Sequence, residues 1–302
     1  MLQIRRILCP TDLSDIAPRT LENGLALARF HEAEVEVLYV SEPLLPGPAS
    51  PVSYPPWSVL DPAVRGRLGA ALEAVIAGSA PGRVPVTAKV VEGRVVAELL
   101  ARARSWPADL IVMGTHGRGG FERWVLGSVT EKVLRQAPCP VLTVPPPATG
   151  VHPEGSVLFR RIVCPVDFSP ASLAALSHAL RLAEESCADL HLLHVVEWLA
   201  EEPAARVPGF DVPEYRRHLQ KDAEERLSKL VPADARDWCK PHELVTGGRP
   251  WREILRLAEE QDAEIVVMGV RGRSPVDLAL FGSTTHHVVR GARCPVLVVH
   301  TD

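Results

Sequence analysis

Arg5-Arg6-Ile7-Leu8-Cys9-Pro10-Thr11-Asp12, near the start of the chain, returns as Arg160-Arg161-Ile162-Val163-Cys164-Pro165-Val166-Asp167, identical at six of eight positions. The same offset of 155 residues carries Val40 to Val195, Gly93 to Gly248, Met113-Gly114 to Met268-Gly269, and Gly127-Ser128 to Gly282-Ser283. It also carries Cys139-Pro140-Val141-Leu142 to Cys294-Pro295-Val296-Leu297. Solenoid repeats have periods of roughly 20 to 50 residues, so a period this long marks a tandem duplication of a whole domain. We expect domains at 1–147 and 159–302 joined by a linker at 148–158. The boundary follows from Pro145-Pro146-Pro147, which cannot continue a central strand and favours an extended spacer.

Outward from that repeat, short apolar runs alternate with helical patterns. Ile4–Cys9, Val35–Val40, Val84–Val91, Leu110–Met113 and Val141–Val144 are rich in Val, Ile and Leu and read as buried strands. Ser14 is expected to cap a helix with Leu21, Leu25 and Ala28 on its apolar face. Ser169, followed by Pro170 at the first helical position, is expected to cap its counterpart, whose face is Leu176, Leu180 and Ala183. Asp61–Gly78, Arg94–Arg104 and Ser128–Gln136 supply further helices. Parallel neighbours need crossover connections, so five strands alternating with helices predict a doubly wound, Rossmann-like α/β fold with a five-stranded parallel sheet in each half. The proline-rich stretches Pro43–Pro62 and Trp198–Pro213 differ between the halves and read as surface excursions, with lids or partner surfaces as the alternative.

Composition narrows the function classes. With 302 residues, 46% hydrophobic and 23% charged, the chain can bury two ordinary cores. A formal charge of -4 gives no diffuse attraction to nucleic acid or anionic membrane. No run reaches the roughly 18 to 20 apolar residues of a membrane span, and residues 1–10 lack an apolar signal core, so the expected location is cytoplasmic. The six cysteines form no C-x-x-C pair. Cys9, Cys139, Cys164 and Cys294 read as small apolar side chains near strand ends, and Cys187 and Cys239 receive no assignment.

In such a sheet, ligands collect beyond the carboxyl ends of the strands where the strand order reverses. After strand one stands Asp12, or Asp167, a carboxylate suited to a ribose hydroxyl or a base amino group. After strand four comes Gly114-Thr115-His116-Gly117, then nine residues, then Gly127-Ser128. The second half repeats this as Gly269-Val270-Arg271-Gly272, nine residues, Gly282-Ser283. Glycines let backbone N–H groups approach a phosphate where a side chain would block them. The helix opened by Gly127, Ser128, Val129 and Thr130, or by Gly282, Ser283, Thr284 and Thr285, adds free N–H groups and a favourable dipole. The hydroxyls of Ser128, Thr130, Ser283, Thr284 and Thr285 can add donors. A competing reading makes Ser128 the N-cap of a capping box with Glu131; the second half has His286 there instead.

At these residues the chain resembles the universal stress protein family in its tandem two-domain form, over nearly its whole length. The resemblance rests on the duplicated G-x-x-G-x9-G-S loop together with Pro10-Thr11-Asp12 and Val40, and Pro165-Val166-Asp167 and Val195. It implies strand order 3-2-1-4-5, ATP as ligand with Mg2+ held through the phosphates, and adenine met by the backbone of Val40 or Val195. It further implies that Met113 and Met268 line the nucleoside pocket. The expected function is a nucleotide-responsive stress or signalling module, with a slow ATPase or a phosphate- or adenylyl-transfer enzyme as the alternative and a scaffold with empty sites as a third reading. Strand five at the sheet edge needs cover. The halves are therefore expected to pair through Val141–Val144 and Val296–Val299 as an internal pseudo-dimer, with a homodimer of whole chains possible beyond that.

Other motifs fail. There is no complete G-x-G-x-x-G, no P-loop and no G-x-S-x-G elbow. Adjacent His286 and His287 point about 100° apart on a helix and do not make a metal pair. Arg118 and Arg273 could neutralise phosphate charge or face solvent.

Overall fold

The structure, a computed structural model, describes residues 4–42, 60–79, 82–115, 126–146, 158–197, 212–270 and 282–300. Gly117, Gly272, Arg118 and Arg273 lie outside the described residues, as do 43–59 and 198–211 of the two proline-rich stretches. The chain divides into two compact units between Glu154 and Gly155.

The first unit runs β1 (Arg6–Thr11), α1 (Ala17–His31), β2 (Glu34–Ser41), α2 (Pro62–Gly78), β3 (Val86–Glu92), α3 (Val95–Ser105), β4 (Leu110–Gly114), α4 (Ser128–Gln136) and β5 (Val141–Val144). Every pairing is parallel, in the order β3-β2-β1-β4-β5. The second unit runs β6 (Arg161–Pro165), α5 (Pro170–Ser186), β7 (Asp189–Val196), α6 (Val212–Ser228), a short α7 (Ala235–Trp238), β8 (Lys240–Gly247), α8 (Pro250–Glu260), β9 (Ile265–Gly269), α9 (Ser283–Gly291) and β10 (Val296–Val299). Its order, β8-β7-β6-β9-β10, is the same. Each unit is therefore a doubly wound parallel sheet of order 3-2-1-4-5. Ile7, Leu8, Ile111 and Val141 in one centre, and Ile162, Val163, Val266 and Val298 in the other, are fully buried. Strands covered on both faces need that unbroken apolar content.

Several repeated residues acquire a structural reason. The Asp109 carboxylate accepts from the N–H groups of Arg5 and Arg6 at 2.8 and 2.9 Å, and Glu264 accepts from Arg160 at 2.5 Å, so an acid before strand four holds the chain entering strand one. Gly93 and Gly248 have φ of 152° and 153°, and their N–H groups donate to Ser41 and Val196 at 3.0 and 3.1 Å. A β-carbon there would also meet the side chain of Glu98 or Glu253.

Two helix starts depart from expectation. α1 begins after Ile16 with no side-chain cap, and the Ser14 hydroxyl does not cap it. The Ser14 N–H instead donates to Asp12 Oδ1 at 3.0 Å, closing a turn that delays the helix. Ser169 does cap α5, accepting from Ser172 N–H at 3.2 Å. In α4 the N-cap is Gly127, not Ser128, which is already helical. The proposed capping box is therefore absent, and Glu131 instead pairs with Arg135 at 3.1 Å.

The first unit also holds one deep ion pair. Glu36 on β2 is only 4% exposed and takes both carboxylate oxygens to Arg102 on α3, with Nε to Oε1 at 2.6 Å and a second, parallel bond from the terminal nitrogen to Oε2. Hydrogen bonding to Glu36 pushes the Arg102 guanidinium further up from its already high range.

Candidate functional site

In the second unit the carboxyl ends of β6, β7 and β9 open into a cavity of about 690 Å³. Its floor begins where β6 stops. Asp167 follows the strand, and its Oδ1 accepts from Ser169 N–H at 2.9 Å. Within that Asx-type turn Phe168 has a left-handed φ of 62°. The Asp167 N–H donates to the Ser172 hydroxyl at 3.3 Å, so the turn and the first turn of α5 are tied together.

β7 outlasts its neighbour. The β6–β7 register ends at Pro165 opposite Leu193, and the Leu193 carbonyl accepts from Val166 N–H at 2.8 Å. In a parallel strand a residue's N–H and C=O point to one side and alternate residue by residue. Val195, two residues on, therefore directs both groups toward β6 beyond the end of that ladder, where Val195 lines the cavity. A donor and an acceptor side by side form an edge that an adenine-like ring can match.

The opposite wall is the β9–α9 connection. Met268 is 4% exposed, and Gly269 closes the strand. α9 has Gly282 as its N-cap with no side-chain cap, and its first intrahelical bond runs from His286 N–H to the Gly282 carbonyl at 2.9 Å. Ser283, Thr284 and Thr285 thus begin a helix whose first N–H groups receive no side-chain cap, the ordinary situation for anion capture. The Thr285 hydroxyl donates to the Gly269 carbonyl at 3.0 Å, so it braces the wall from inside. Ser283 and Thr284 line the same cavity. The first turn of α9 contains no acid.

Nine of the ten sequence-assigned residues of this half, namely Pro165, Asp167, Val195, Met268, Gly269, Gly282, Ser283, Thr284 and Thr285, line the one cavity. Gly272, the tenth, lies outside the described residues. The first unit repeats the scaffold. Asp12 closes the same turn, Val40 stands on β2 one step past the last β1 partner, and Met113 is buried one residue before the end of β4. Gly127 caps α4, Ser128 and Val129 open it, and the Thr130 hydroxyl donates to Gly114 at 2.9 Å. Pro10 pairs with Leu38 within the ladder, and Gly117 lies outside the described residues.

Sequence reading missed part of the second-unit wall. The Arg226 guanidinium on α6 lies 4.0 Å over the Phe168 ring, with Asp222 3.7 Å away. The His194 Nδ1 meets the Val166 carbonyl at 2.7 Å, and its ring stands 4.7 Å from Phe168. Phe168, His194, Asp222 and Arg226 all line the cavity. Phe168 and His194 were within reach, because the 155-residue offset aligns them with Leu13 and Tyr39 and so flags a difference between the halves. Arg226 was not, since the segments before α2 and α6 differ and break the alignment.

Of the adjacent histidines, His287 bonds its Nδ1 to the Ser283 carbonyl at 2.7 Å and stacks on Trp251 at 5.0 Å. Among the described residues no group of three or more His, Cys, Asp or Glu is placed to hold a metal ion. No described helix is long and apolar enough to cross a membrane.

Comparison with known proteins places the chain in one family and agrees with the fold. The model of the universal stress protein family matches residues 3–145 and 158–300. A universal stress protein of Methanocaldococcus jannaschii is 34% identical over 147 residues, which is 48% of this chain and 85% of that protein. Universal stress protein G of Escherichia coli O157:H7 is 37% identical over 144 residues, 47% of this chain and 99% of that protein. The crystal structure of a universal stress protein from Archaeoglobus fulgidus superimposes with a TM-score of 0.67 at 24% identity, covering 99% of this chain and 97% of that one.

Proposed function

We propose that this chain, which belongs to the universal stress protein family, binds an adenine nucleotide in each half and acts as a nucleotide-responsive stress or signalling module. The observation that carries this reading is the second-unit cavity. It brings the Asp167 turn, the outlasting main chain of Val195 and the uncapped start of α9 around one space. A volume of about 690 Å³ suits a mononucleotide, within the roughly 300 to 1,000 Å³ of small-molecule sites. The base would lie against Val195, the ribose near Asp167 and the phosphates at Ser283 and Thr284. ATP is the nucleotide we favour, with Mg2+ held by its phosphates rather than by a protein cage. A cytoplasmic location belongs to the same proposal.

Binding is favoured over turnover by the fate of Glu131. Its carboxylate is engaged by Arg135, and the second half has His286 at that position. Calorimetry with ATP and GTP tests the reading. ATP should bind at two sites per chain and GTP much more weakly; no ATP binding, or equal GTP binding, would defeat it. Release of phosphate well above a no-protein control would move the function to the enzyme class. Gly117→Val and Gly272→Val should each weaken binding in their own half by about 100-fold, through loss of backbone donors to phosphate, with circular dichroism unchanged. Retained affinity in both variants would remove the glycine loops from the site.

On sequence grounds we also propose that the halves pair through Val141–Val144 and Val296–Val299. Separately expressed halves, each folded, should then elute as a 1:1 complex when mixed, and independent elution would reject the pairing. A homodimer of whole chains is a further proposal that the same chromatography reads.

A further inference from the structure

Cys187 and Cys239 belong to no part of the cavity, yet the second unit sets them side by side. Cys187 ends α5 in the left-handed conformation, with φ of 49° and its N–H donating to the Ala183 carbonyl. Cys239 ends α7, its N–H donating to Ala235 at 2.9 Å, and β8 starts at the next residue. The β7–β8 register sets Asp189 opposite Lys240, and the Lys240 N–H donates to the Ala188 carbonyl at 3.1 Å. Cys239 therefore stands opposite Ala188, one residue from Cys187. Ala188 and Cys239 thus lead into neighbouring strands, which lie about 4.8 Å apart, and the Cys187 thiol is near enough to act electrostatically on that of Cys239. A disulfide bridges α-carbons about 4.4 to 6.8 Å apart, a span of that order.

We propose that Cys187 and Cys239 are a redox-sensitive thiol pair that closes into a reversible intramolecular disulfide when the protein meets a hydroperoxide. Cys187 is exposed and reacts first, while Cys239 is buried and resolves. The Cys187 thiolate attacks one peroxide oxygen, the O–O bond breaks, and a sulfenic acid forms as hydroxide leaves and is protonated to water. The Cys239 thiolate then attacks the Cys187 sulfur; the S–S bond forms, the S–O bond breaks, and the departing hydroxide takes up a proton as a second water. Two thiols and one hydroperoxide thus give one disulfide and two waters when the oxidant is hydrogen peroxide, with two electrons passing from sulfur to oxygen.

The other four cysteines are poor competitors. Burial pushes the Cys9, Cys139, Cys164 and Cys294 thiols up to about 12, so almost none is thiolate at neutral pH. Burial also raises Cys239, to about 11, with Arg236 opposing the rise and Cys187 adding to it. The two thiols therefore sense each other, and the closing step is expected to be slow at neutral pH and faster as pH rises. The bond would tie β7 to β8 around the crossover that carries α6, and with it Asp222 and Arg226 of the cavity wall. The proposal stands whatever the cavity holds.

The test uses the full reduced chain treated with a small excess of hydrogen peroxide, alkylated, digested without reductant and examined by mass spectrometry. The expected product is a Cys187–Cys239 linked peptide pair, an intact mass lower by about 2 Da, and full reversal by dithiothreitol. Cys239→Ser should abolish the link and leave Cys187 trapped by dimedone as the sulfenic acid. Cys187→Ser should leave Cys239 reduced under the same treatment. Over-oxidation of Cys187 with Cys239 still a free thiol would overturn the proposal, and so would a link between chains through Cys187 in place of the internal bond.

Discussion

Arg102→Ala is expected to cost the first unit about 3 to 5 kcal/mol, because the substitution strands the Glu36 carboxylate inside the protein without its partner. Glu36 is 4% exposed and sits in β2 between β1 and β3, where its carboxylate depends on the two guanidinium bonds. The variant also loses the guanidinium over the Trp106 ring, 5.6 Å from its centre. The cost belongs to the broken pair and not to the pair's net contribution, so removing both charges should be far milder. Glu36→Leu with Arg102→Met should unfold within about 1 kcal/mol of the natural chain, since apolar replacements of buried pairs are commonly neutral or better. Urea unfolding of the two variants supplies the comparison. A loss below about 1 kcal/mol for Arg102→Ala would mean that the pair behaves as a solvated surface bridge.

Gly269→Ala should cost the second unit about 3 kcal/mol and lower its melting temperature by roughly 6 to 12 °C. A β-carbon at Gly269 would lie 2.7 Å from the carbonyl carbon of Ala171, 2.8 Å from its oxygen and 2.9 Å from its β-carbon. Two of those atoms are backbone of the first turn of α5, which Ser169 caps and Asp167 ties to the end of β6. The helix cannot retreat without pulling on the turn that floors the cavity, so ligand affinity should fall together with stability. Ala171→Gly separates the causes: it removes the β-carbon clash but leaves the carbonyl in place. The double variant should therefore remain destabilised. Full recovery in the double variant, or an unchanged melting temperature in the single one, would show that α5 does not approach β9 this closely in solution.

That contact shows where sequence reading stops. The sequence reading put Gly269 in a phosphate loop, because glycine twice in register at the end of strand four asks for a close approach. What approaches it, the α5 backbone, was not legible, since the spacing records that room is needed and not which neighbour needs it. Caps failed for a related reason. Ser14 and Ser169 occupy matching positions, yet only Ser169 caps its helix. The first half lacks a proline directly after the serine, and its helix begins later, at Ala17. Capping depends on the backbone dihedral of one residue, which the preceding turn sets. The competing reading of Ser128 as an N-cap failed on the same ground, with Gly127 taking the cap.

By itself the sequence determined the duplication, the alternation of buried strands and helices, and nine of the residues that line the second-unit cavity. Those depend on periodicity and on glycine, aspartate and serine at fixed offsets, which local chemistry expresses residue by residue. Only the tertiary structure decided that β7 runs past β6 so that the Val195 main chain faces the cavity, and that Arg226 reaches Phe168 from α6. It likewise decided that Cys187 and Cys239, 52 positions apart, stand just ahead of adjacent strands. Each depends on the register between segments distant in the chain, and register is settled by packing whole faces against one another, a sum over many contacts that no short stretch of sequence carries.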